Sequence, residues 1–210
     1  MNKSSLIVIL LLIILIVLSI TIYISLNNNK TDDSETVDKD INLSTSTSLK
    51  GNKILVVYFS AQNHTKIVAE KIAANLNADL FEIIPQDIYT EDDLNWSNNN
   101  SRVSKEHDDI SLREIKLQST TVKNWEQYDT VLIGYPIWWG IAAWPVNNFV
   151  KDNDFTGKTV IPFCTSASSG LGQSGKLLEE LAGSGNWKSG HRFSSSASDN
   201  DIKSFTDSIK

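Results

Sequence analysis

Residues 53–76, KILVVYFSAQNHTKIVAEKIAANL, leave few folds open to this chain. The segment begins with an unbroken apolar run, ILVVYF at 54–59, too short for a helix and containing β-branched Ile54, Val56 and Val57. A strand covered on both faces of a parallel sheet has that composition. The polar stretch Ser60-Ala61-Gln62-Asn63-His64-Thr65 follows, and then Val68, Ile72 and Leu76 recur four apart. That spacing makes one apolar face of a helix. Strand, short polar turn and helix in this order aim backbone N–H groups and the positive end of a helix dipole at one point. Ser60 and Thr65 add hydroxyl donors there. The turn is either a cradle for one terminal phosphate or an ordinary strand-to-helix turn capped by a serine and a threonine. It has neither the glycines of a dinucleotide fingerprint nor the Gly-Lys-Ser/Thr of a Walker loop.

A second restrictive stretch lies at the amino terminus. Residues 6–26 are almost wholly apolar, and as a helix they would span about 30 Å, enough to cross a bilayer. We expect residues 1–26 to form an uncleaved transmembrane anchor. A cleaved signal peptide is the alternative, because 6–18 resembles its apolar core, but no A-x-A site follows. Lys3 precedes the span, while acidic residues outnumber lysines in 27–40. This favours a cytoplasmic amino terminus, so a single pass through the cytoplasmic membrane would leave the rest extracytoplasmic. Residues 27–52, rich in Asn, Ser, Thr and Asp, have the composition of a flexible linker. Cys164 is the sole cysteine, so no intrachain disulfide can form.

From residue 53 to 210 the pattern alternates. Short apolar strands are expected at 80–84, 130–134 and 159–164, with helical patterns at 144–151 and 174–181. Strands alternating with helices point to an α/β fold with a doubly wound parallel sheet. Ligands in such folds bind beyond the carboxyl ends of the strands. After the third strand comes Gly134-Tyr135-Pro136-Ile137-Trp138-Trp139-Gly140, whose indoles offer large flat faces. After the fourth comes Thr165-Ser166-Ala167-Ser168-Ser169-Gly170, rich in hydroxyls and backbone amides. The formal net charge is −6 with no basic cluster, which argues against nucleic acid as a partner. His107 and His191 have no second ligand at metal spacing, so no metal site is expected. Cys164 ends an apolar strand, as a buried small hydrophobe would.

Three converging turns describe a ligand with a phosphate, a flat ring system and polar ring edges, and FMN fits that description. Residues 53–210 resemble the flavodoxin family, in particular its short bacterial branch. The resemblance rests on YFSAQNHTKIVAEKIA, the Trp96 and Ser101-Arg102 insertion, YDTVLIGYPIWWG and FTGKTVIPFCTSASSGLG. It implies a flavodoxin-like five-stranded sheet in the order 2-1-3-4-5, with the fifth strand at 189–193. It also implies that Ser60, Gln62, Asn63, His64 and Thr65 surround the FMN phosphate. Pro136, Ile137, Trp138, Trp139 and Gly140 would then flank the isoalloxazine, with Thr165, Ser166, Ala167, Ser168, Ser169 and Gly170 at its other edge. Gln62, Asn63 and His64 replace the family's usual threonine, glycine and asparagine, and Ala167-Ser168 replaces a common glycine pair. If position 63 needs a positive φ, asparagine is among the best substitutes for glycine. Arg102 is expected either to fix a loop through acidic partners or to act near the flavin. The function implied is electron transfer by a membrane-tethered FMN protein to a redox partner protein. An FMN-dependent NAD(P)H or quinone oxidoreductase is the alternative, and a flavin-free binding module the third reading.

Overall fold

In the computed structural model, residues 53–209 are described. The expected anchor and linker, 1–52, lie outside them, and among the described residues no helix is long and apolar enough to cross a membrane. The chain runs β1 (Lys53–Tyr58), α1 (His64–Leu76), β2 (Asp79–Glu82), α2 (Arg102–Asp108), β3 (Tyr128–Trp138), β4 (Ile141–Ala142) and α3 (Pro145–Asp152). It continues through β5 (Thr159–Ser166), α4 (Ser174–Ala182), β6 (Asn186–Trp187), β7 (His191–Ser194) and α5 (Asp199–Asp207).

The apolar run of β1 behaves as its composition requires. It pairs in parallel with β2 on one side and β3 on the other, and from Leu55 to Tyr58 it is buried on both faces. Val56 and Tyr58 pack with Val68, Ile72, Phe163, Ile202 and Phe205 in the layer under α1 and α5. Leu55 and Val57 pack on the opposite face with Val146, Phe149 and Leu178, the layer under α3 and α4. Gly134 in β3 is required by this packing, since a Cβ there would lie 2.2 Å from the Phe163 ring.

The main path of the sheet is β2-β1-β3-β5-β6, with β7 also parallel to β5 and β4 antiparallel to β3. This differs from a plain 2-1-3-4-5 sheet at two places. The last position is shared by two short strands, β6 and β7, rather than one strand at 189–193: β6 pairs with Thr159 and Val160 and β7 with Phe163 to Ser166, and the ladder is interrupted opposite Ile161 and Pro162. A Cβ on Gly190 would meet the Pro162 carbonyl oxygen at 2.7 Å, so the backbones there are in close approach. The second difference is β4. Residues 136–140, expected to be a loop, are the end of β3 and a hairpin turn, with Trp138 paired to Ile141. Trp139 (φ 44°) and Gly140 (φ 82°) both have positive φ, as a two-residue turn matched to strand twist requires.

Other boundaries move by a residue or two, β5 running to Ser166 rather than 164 and β3 starting at Tyr128 rather than 130. β2 ends at Glu82 rather than 84: the Ile83 N–H still donates to the Tyr58 carbonyl, and beyond it the backbone leaves β1 for a new partner. The Gln118 N–H donates to the Ile84 carbonyl and the Gln86 N–H to that of Lys116. The helix expected at 144–151 has Pro145 at its start, where a missing N–H costs nothing, and runs to Asp152.

Candidate functional site

The turn after β1, the end of β3 and the end of β5 enclose a cavity of about 500 Å³. Asn63 sets the shape of the first turn: it caps α1 with φ 64° and ψ −10°. Asparagine tolerates this left-handed region better than most residues. Its side chain makes no capping hydrogen bond, so the first-turn N–H groups, which have no intrahelical acceptor, are left for another partner. Ser60 lines the cavity, and its hydroxyl oxygen is buried with no hydrogen-bond partner among the described residues. Thr65, fully buried, is hydrogen-bonded through Oγ1 to Thr165 Oγ1 at 2.8 Å, tying the first turn to the end of β5. His64 Nδ1 lies 3.1 Å from the Ser195 carbonyl oxygen, which it can reach as a donor.

The far wall is aromatic. Trp138 packs edge-on against Phe59 (5.6 Å between ring centres), Tyr89 (5.3 Å) and Trp144 (4.8 Å). It is the indole folded down on the core. Trp139 is 43% exposed and stacks on His107 at 4.4 Å and Trp144 at 5.9 Å. A bulky side chain at φ 44° is a strained arrangement, held here by the hairpin and the stack. The third edge is clamped from outside. Arg192 Nη2 donates to the carbonyl oxygens of Ser166 (2.8 Å) and Ala167 (3.0 Å), and its Nε to Ser166 Oγ.

Of the residues expected at the site, Ser60, Gln62, His64, Thr65, Pro136, Ile137, Trp138, Trp139, Thr165, Ser166 and Ala167 line the cavity. Asn63, Gly140, Ser168, Ser169 and Gly170 do not. Asn63 and Gly140 shape turns through their backbones, and 168–170 are exposed beyond the rim. Ala61, Leu94, Trp96, Val103 and Ser195 also line the cavity. Trp96 is 74% exposed. Ser195 directly follows β7, so the rule that ligands sit past strand ends points to it once that strand is placed to Ser194. Leu94 and Val103 belong to the stretch 86–127, which has no periodicity to mark them.

Arg102 fixes the insertion: Nε donates to Glu106 Oε1 at 2.7 Å, Nη1 to the Asp87 carbonyl, and the guanidinium lies 3.9 Å over the Tyr89 ring. Cys164 is fully buried, and burial pushes its thiol up to about 12. No Asp or Glu lines the cavity among the described residues, and no His, Cys, Asp and Glu group among them could hold a metal ion.

The family model described as Flavodoxin matches residues 53–209. Among solved structures, a protein designated a flavoprotein from Bacteroides eggerthii is 40% identical and has a TM-score of 0.67, covering 75% of this chain and 97% of that one. A second, from Bacteroides uniformis, is 37% identical with a TM-score of 0.68, covering 75% and 99%. A flavoprotein from Lactobacillus acidophilus, solved in complex with FMN, is 25% identical with a TM-score of 0.52, covering 67% and 93%. No curated protein sequence matches significantly.

Proposed function

Because the chain belongs to the flavodoxin family, we propose that its cavity binds FMN and that the protein transfers electrons. The observation that carries this reading is the Ser60 hydroxyl, buried without a partner in a cavity-lining turn at the uncapped start of α1. A buried hydroxyl left unpaired is costly, and an anion accepting from it would remove that cost. The donor set fits a phosphate monoester. Ser60, Thr65, Gln62 and the first-turn amides supply donors, and among the described residues no lining carboxylate opposes a dianion. His64 is the cavity-lining residue able to carry positive charge in that turn. About 500 Å³ suits a ligand of this size, and the FMN complex of the Lactobacillus relative supports the choice of flavin.

FMN, once bound, supplies the redox chemistry. The chain's own residues bind and orient it. Pro136, Ile137, Trp138 and Trp139 border the ring system on one side, and Thr165, Ser166 and Ala167 on the other. The indoles exclude water from that face, and Arg192 holds the third turn in place. Residues 1–26 hold the protein in the cytoplasmic membrane by a single pass, with the flavin domain outside the cytoplasm, and a redox partner protein exchanges electrons with it. The apolar run at 6–26 supports the tether.

One observation favours a second reading, an FMN-dependent NAD(P)H or quinone oxidoreductase. Trp96 lines the cavity yet is 74% exposed, which leaves an aromatic face for a second flat molecule at the mouth. Anaerobic addition of NADPH to the FMN-loaded protein decides between the two. Flavin that stays yellow supports the electron carrier, and rapid bleaching supports the oxidoreductase.

A further inference from the structure

The insertion hides a carboxylate that does not line the cavity. Glu106 on α2 is 4% exposed, and three donors converge on it. Arg102 Nε reaches Oε1 at 2.7 Å, while the Tyr89 hydroxyl (2.6 Å) and the Trp144 indole N–H (2.7 Å) both reach Oε2. A carboxylate is the one side chain of this size that accepts from all three at once. Charge-assisted bonds of this kind are short and directional. The two rings it holds, Tyr89 and Trp144, are both packed edge-on against Trp138. Trp144 also carries the stack of Trp139, and His107, the residue next to Glu106, stacks on Trp139 as well. Arg113 completes the frame, its guanidinium 4.8 Å over the Trp144 ring and its Nε donating to the Glu106 carbonyl.

From this connectivity we propose that Glu106 is a positioning residue for the cavity. Through Tyr89 and Trp144 it fixes the angle and depth of the Trp138–Trp139 wall, without lining the cavity itself. In a sequence, a glutamate within the stretch 86–127 carries no such signal. The inference rests on the FMN reading for its ligand, but its geometric part stands on the chain alone. Glutamine at 106 has nearly the same volume but a single carbonyl oxygen. Its amide N–H₂ must then face either Arg102 or the Tyr89 and Trp144 donors, and the wall must shift.

The test compares wild type, Glu106→Gln and Ile202→Val, a conservative core change on α5, which packs on the opposite face of the sheet. In ligand-free protein, the indole N–H resonances of Trp138 and Trp139 should move in Glu106→Gln and stay in place in Ile202→Val. Affinity for FMN and for riboflavin should fall by one common factor, about tenfold, in Glu106→Gln, because the ring wall is changed and the phosphate end is not. The visible band of the bound flavin should shift with it. Unmoved Trp138 and Trp139 resonances, with flavin affinities equal to those of Ile202→Val, overturn the proposal. If wild type binds neither flavin, the functional reading fails, and the ligand-free resonances alone decide this one. Should Glu106→Gln not fold, Tyr89→Phe removes a single donor and is judged by the same criteria.

Discussion

Ser60 separates the needs of the empty fold from those of a ligand. Its hydroxyl is buried and unpaired among the described residues, so Ser60→Ala removes an unsatisfied group. We expect the ligand-free protein to be unchanged or to gain up to about 1 kcal/mol in a denaturant titration. FMN affinity should fall about tenfold, the worth of one hydrogen bond to a charged acceptor, while riboflavin affinity stays put. A loss of stability without a loss of FMN affinity would make Ser60 a structural residue. Cys164 makes a different residue-scale statement. Burial raises its thiol to about 12 from a usual 9.0, so the folded form keeps its proton where the unfolded chain loses it. The stabilising contribution is complete below about pH 9 and is lost as pH rises toward 12, at about 1.4 kcal/mol per unit. Cys164→Ala should flatten the alkaline slope of stability over that window, and an unchanged slope would show that the thiol ionises in place.

At the scale of elements, the turn into α1 depends on one backbone conformation. Asn63 holds φ 64°, and a β-carbon without a polar group pays for that region. Asn63→Ala should cost about 1 kcal/mol and Asn63→Gly close to nothing in thermal melts. Equal effects would mean that the side chain, rather than φ, holds the turn. The elements legible in the sequence were those whose patterns are local. β1 shows as an apolar run and α1 as a four-residue repeat. The end of β3 was not legible, because Pro136 and the Trp-Trp pair look like loop signals when the hairpin partner is unknown. β2 was overread for the opposite reason: Ile83 and Ile84 are apolar, but the Ile84 carbonyl is engaged by Gln118 away from β1. The site followed the same division. The three strand-end turns could be found from the rule of parallel sheets, whereas Leu94, Val103 and the Glu106 network lie in an insertion whose role exists only after folding.

For the molecule as a whole, the two faces of the sheet do different work. The face under α1 and α5 is a packed apolar layer. The opposite face extends into the insertion, where Val103, Ile115 and Trp144 make a small core of their own beside the cavity. The apolar run at 6–26 predicts that full-length protein sediments with membranes and that a chain beginning near residue 47 does not. Recovery of the full-length protein in the soluble fraction would remove the tether. Whether the cavity binds FMN is read from a fluorescence titration of FMN with the purified protein. We expect saturable quenching at one FMN per chain, as an isoalloxazine held against the indole wall would give, with riboflavin binding more weakly. FMN fluorescence that stays unquenched at saturating protein would contradict a flavin site.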